Sequence, residues 1–124
     1  MNAALTASDL GFINRVAARR FAGAEASEAD RGALTAALQG AGEGTPLDRA
    51  AALAAALLRG RVFTVAPLHT ALLAVQAALS LDGFILLAPQ GVVVGMIRGL
   101  AGDGDAVAFA RWLEDRTVPS ASGN

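Results

Sequence analysis

The sequence predicts an all-α protein, a compact single-domain bundle of about six helices around one buried central helix. Three observations predict it. Hydrophobic residues fill 54% of the 124 positions, and many of them are alanine, the strongest helix former. Apolar residues recur three and four positions apart in one segment after another. Capping residues open these segments, and glycines close them.

Thr6-Ala7-Ser8-Asp9 has capping-box spacing and starts a first helix running to about Phe21. Leu10, Ile13, Ala17 and Phe21 form its apolar stripe, Arg15, Arg19 and Arg20 lie off it, and Gly23 closes it. Ser27-Glu28-Ala29-Asp30 repeats the start signal for a second helix, with Leu34 and Leu38 on one face. Gly40 to Pro46 is a glycine-rich loop. A third helix spans about Leu47 to Arg59, with Leu53 and Leu57 inward, and Gly60 is its expected left-handed cap.

Arg61 to Ala66 is a connecting loop, and Pro67 suits the first turn of a fourth, central helix ending at Asp82-Gly83. Phe84 to Leu87 reads as a short extended segment broken at Pro89. Val92 to Leu100 is a helix or an apolar strand: three valines favour strand, and the Val93, Met96, Ile97, Leu100 spacing favours helix. Asp105 caps a last helix to about Arg116, with Val107 or Ala108, Trp112 and Leu113 inward. Residues 1–118 thus make one domain, and 119–124 read as a disordered tail.

Composition narrows the function classes. Ten basic residues, all arginine, face eleven acidic ones, and no run of one sign exceeds two residues. The basic patch of a nucleic-acid binder is missing. Arginine without lysine, beside abundant alanine and glycine, reads as GC-rich coding. With no cysteine and one histidine, no disulfide, thiolate nucleophile or metal site is expected. The N-terminal residues do not form a secretory signal, so the expected compartment is the cytoplasm. The mean hydropathy is +0.47, and Val62 to Leu81 carries no charged residue and reaches the length of a membrane span, about 20 residues. Its helical part begins only at Pro67, so burial by other helices on all sides is expected instead of lipid.

The order of these pieces resembles the Doc branch of the Fic/Doc (death-on-curing) toxin family. Arg20-Phe21-Ala22-Gly23, the Asp30 to Leu38 helix and the Ala50 to Gly60 helix are similar to segments of that family. So are the helix from Thr70 to Leu81 with its Asp82-Gly83-Phe84 exit, and Arg111-Trp112-Leu113. The family signature is His-x-Phe-x-(Asp/Glu/Asn)-(Gly/Ala)-Asn-(Lys/Gly)-Arg. It supplies a general base, a Mg²⁺ ligand and a phosphate cradle for transfer of AMP or a phosphoryl group to a protein side chain.

At that position this chain has Arg61-Val62-Phe63-Thr64-Val65-Ala66-Pro67-Leu68-His69. Phe63 is kept. The base falls on Arg61, which stays protonated, and the metal ligand falls on Val65, which offers no oxygen. The phosphate-binding Asn falls on Pro67, which has neither side-chain donor nor N–H, and the phosphate-binding Arg falls on His69. The glycine-rich loop near Gly42 stands where the family carries a longer flap that pins target peptides.

The resemblance therefore implies a catalytically degenerate protein of toxin–antitoxin descent, bacterial and without a cofactor, acting by binding. Its expected occupants are a protein partner such as an antitoxin-like helix, a second copy of itself, or a small anion at Arg61, Thr64 and His69 beside Phe63. The Val92 to Ile97 run is the expected contact surface if exposed. Two alternatives remain open: an active transferase with relocated residues, and a structural or oligomerisation module.

Overall fold

The computed structural model describes residues 5–26, 29–41 and 44–120, and the fold is all-α with one two-stranded ribbon. Helix α1 (Ala7–Ala17) opens on Thr6 with the predicted box: Asp9 N–H donates to the Thr6 hydroxyl, and Thr6 N–H donates to the Asp9 carboxylate. The helix does not continue unchanged to Phe21. It widens into a π-helical turn, Ala18–Ala22, which ends on Gly23 at φ +60°. Leu10 and Ala17 are buried and the three arginines are exposed, as the stripe predicts.

Helix α2 (Arg31–Gly40) begins later than the Ser27 signal suggests. Asp30 is its N-cap, accepting from Ala33 N–H, while Ser27 and Glu28 lie outside the described residues. Helix α3 (Pro46–Arg59) begins earlier than expected. Thr45 and Pro46, read above as loop, instead form a second capping box with Asp48 and a first-turn proline. Gly42 and Glu43, at the centre of the expected shortened flap, lie outside the described residues.

The end of α3 also differs from expectation. Gly60 has φ −78°, and the left-handed residue is Arg61 at φ +49°. Gly60 is needed for space instead, since a Cβ there would stand 2.9 Å from the Ala56 carbonyl oxygen.

Helix α4 (Pro67–Leu81) is central, packed against α3, α1, α5 and the ribbon. Thr70, Ala71, Leu72, Ala74, Val75 and Leu79 are buried. It is not buried on all sides, however: Gln76 and Ser80 are exposed, and His69, Leu73 and Ala77 beside them are half-buried. These five share one helical face, which therefore borders solvent. Among the described residues no helix is long and apolar enough to cross a membrane.

Gly83 turns the chain at φ +85° into β1 (Phe84–Leu86). The tail expected to be disordered from Pro119 instead begins paired, since Thr117–Pro119 forms β2, antiparallel to β1 with Ile85 opposite Val118. Ser120 N–H donates to the Gly83 carbonyl at 2.7 Å, and residues 121–124 lie outside the described residues. Backbone pairing, invisible in a Pro- and Ser-rich tail, decides this.

Between the strands lie α5 (Gln90–Leu100) and α6 (Ala106–Glu114). The valines of α5 do not make it a strand, since Val93, Val94, Ile97 and Leu100 bury one helical face and that burial outweighs β-branched propensity. The same burial removes the Val92 to Ile97 run as a contact surface, leaving only Val92 and Gly95 exposed. Asp105 caps α6 as predicted, accepting from Val107 N–H. The inward face is shifted, though. Val107 is 57% exposed and Ala108 is exposed, while Phe109, Ala110 and Leu113 are buried. Trp112 is half-buried, stacked on Phe109 and covered by the Arg116 guanidinium.

The core has two clusters divided by α3 and α4. Ala50, Ala51, Ala54 and Leu58 face α5 and α6 with Leu72, Val75 and Leu79. Leu53 and Leu57 face α1 and α2 with Leu10, Leu34, Phe63 and Ala74. Alanines at the α3–α4 contact allow a close approach, so two thin clusters are sealed by one helix pair. Arg49 binds Asp82 at 3.2 Å, joining the start of α3 to the end of α4. Arg59 Nε donates to the Leu100 carbonyl at 3.0 Å and its Nη2 to the Gly104 carbonyl, tying α3 to the α5–α6 corner.

Candidate functional site

The loop from Arg61 to His69 runs from the end of α3 into the first turn of α4. Phe63 is 6% exposed and fills the cluster between α1, α2 and α3. It anchors the loop, and Val62 is buried beside it. Thr64 is exposed. Arg61 is exposed as well, and its side chain makes no hydrogen bond or ion pair among the described residues.

The second half of the loop is held by a residue that motif reasoning missed. Asn14 of α1 is 2% exposed, and its Nδ2 donates to the Val65 carbonyl at 2.9 Å and to the Thr70 hydroxyl at 2.9 Å. The Thr70 hydroxyl in turn donates to the Ala66 carbonyl at 2.7 Å. This chain of bonds holds Ala66 at φ +49° as the residue preceding α4. A signal existed in the sequence: Asn14 lies four residues after Leu10 and three before Ala17, on the apolar stripe, where a polar side chain needs a partner.

His69 is half-buried, and its ring stacks on Phe21 with centroids 4.1 Å apart and 15° between planes. The Arg20 guanidinium lies 5.3 Å from the centre of that Phe21 ring. The π-helical turn carries both residues, so it sets the partner of the single histidine. Arg61 and His69 are thus engaged differently: one guanidinium at the end of α3 has no partner among the described residues, and one imidazole is packed against the π-helical turn.

Chemically the loop offers little to a reacting group. The Val65 carbonyl is occupied, Val65 is aliphatic and Pro67 has no N–H. Thr70 N–H bonds the Ala66 carbonyl, so Leu68 and His69 hold the backbone N–H groups left without an intrahelical partner at the start of α4. Among the described residues no group of three or more His, Asp or Glu side chains stands where it could hold a metal ion. Comparison with protein-family models, with curated proteins and with solved structures returned no match.

Proposed function

We propose that this protein is a catalytically degenerate member of the Fic/Doc fold, of toxin–antitoxin descent, that acts in the cytoplasm by binding. A protein partner such as an antitoxin-like helix, or a small anion at the loop, is the ligand. One observation carries the reading. At the head of the central helix, where the resembling family places base, metal ligand and phosphate clamp, the chain has an unpaired Arg61, an aliphatic Val65, Pro67 and a Phe21-stacked His69. Without base, metal ligand and clamp together, neither proton removal nor charge stabilisation of a transferred group is supplied.

The anion form of the reading is favoured by the free Arg61 guanidinium and the two open N–H groups that begin α4. Calorimetric titration with ATP and Mg²⁺ tests the proposal. Weak, Mg²⁺-independent heats abolished by Arg61→Ala are expected. Saturable binding at about micromolar Kd that requires Mg²⁺ would restore the transferase alternative.

A further inference from the structure

A separate recess lies between α1 and the start of α2. It is a cleft of about 690 Å³, within the range of small-molecule sites. Ala7, Ala29 and the edges of the buried Leu34 and Phe63 give it apolar lining, Arg15 and Arg31 are its two cationic residues, and Asn14 and Gly11 complete the wall formed by α1. Among the described lining residues Asp30 is the carboxylate, and it is engaged in capping α2 through Ala33 N–H. Arg31 has no hydrogen bond or ion pair among the described residues.

The glycine at position 11 shapes this wall. Interior helical glycine weakens a helix and is usually retained for close packing. Here the nearest atom to a Cβ built on Gly11 would be Arg15 Nη1, at 3.8 Å, so no packing neighbour requires glycine. What its missing side chain leaves is room in the cleft, with the Arg15 guanidinium alongside. Asn14 has committed its Nδ2 to Val65 and Thr70, so Oδ1 is the atom it has left to offer a ligand.

We infer that this cleft binds a small carboxylate with an apolar body, an aliphatic or aryl carboxylic acid. Arg15 and Arg31 take the carboxylate, whose two oxygens match the guanidinium fork, and Leu34 and Phe63 take the apolar part. The inference rests on the cleft alone, so it stands or falls independently of the family resemblance and of nucleotide binding at the loop.

The test titrates the full chain, labelled for amide NMR, with benzoate and hexanoate, and with benzamide and inorganic phosphate as neutral and non-apolar controls. Saturable shifts centred on Gly11, the Asn14 side-chain amide and Arg31 are expected, with affinity for the carboxylates about ten-fold or more above either control. Arg31→Ala should lose about ten-fold in affinity. Gly11→Ala, whose Cβ meets ordinary contact, should bind as before, and Gly11→Leu, which projects into the cleft beside the Arg15 guanidinium, should bind more weakly. The inference is overturned if the carboxylates bind no better than benzamide or phosphate. It is equally overturned if Arg31→Ala binds like the unaltered chain, a readout that does not depend on the fold tolerating leucine at position 11.

Discussion

Asn14 and Arg61 show how single residues fix the head of the central helix. Asn14 gives one bond to the loop at the Val65 carbonyl and one to the Thr70 hydroxyl of α4, and Thr70 passes the connection on to Ala66. Asn14→Ala strands the Val65 carbonyl and removes the bond to the Thr70 hydroxyl, which should cost about 1–3 kcal/mol in urea denaturation. Thr70→Val should couple to it, because the two side chains bond each other and their effects will not add. Arg61 is the opposite case. Its side chain makes no bond among the described residues, while its backbone sits at φ +49°, where a side chain is penalised. Arg61→Gly should therefore raise stability by up to about 1 kcal/mol, measured the same way, while removing the guanidinium that the loop presents.

At the scale of elements, a capping side chain sets where α1, α2, α3 and α6 begin more firmly than apolar periodicity does. The Thr45–Asp48 box satisfies the first turn of α3, and Thr45→Ala should lower stability by about 1 kcal/mol in thermal or denaturant melts. Thr45 was legible in principle, since Thr-x-x-Asp stands in the sequence, but the neighbouring glycines made it look like loop. The same competition explains other differences. Three valines argued for a strand in α5 until burial of Val93, Val94 and Ile97 is counted, and that burial depends on helices distant in sequence. Gly60 was legible as the end of α3 but not its φ, because placing the left-handed turn on Arg61 follows from how Val62 and Phe63 must reach the core. The two strands were the least legible elements. A three-residue strand is defined by its partner, and Thr117–Pro119 carries no alternation to announce it.

For the whole molecule, the helical class was legible from alanine content and spacing, and so was the central place of α4. The partition of the core was not. It depends on α3 presenting Leu53 and Leu57 to one side and Ala50, Ala54 and Leu58 to the other. Of the loop, its place between two helices was legible in the sequence, but neither the Asn14 lock nor the Phe21–His69 stack, which need two helices placed in space. Because α3 and α4 serve both clusters, the two halves should unfold together. Trp112, the sole tryptophan, reports on the α6 side and far-UV circular dichroism on all helices. Their denaturation midpoints should coincide. Leu72→Ala, at a fully buried position of α4, should cost about 2–5 kcal/mol of stability and lower both midpoints together. Separate midpoints would show the clusters to be independent.

The ribbon has a kinetic consequence. Its two strands are separated in sequence by all of α5 and α6, so pairing Phe84 with Pro119 closes a long loop whose entropy is recovered only after those helices have docked. The bonds from Leu87 N–H to Arg116 and from Ser120 N–H to Gly83 belong to that closure. They will form late, and under native conditions their amide protons will exchange through a rare partial opening of α5, α6 and the ribbon, too sparsely populated to separate the denaturation midpoints, while α1 to α4 stay protected.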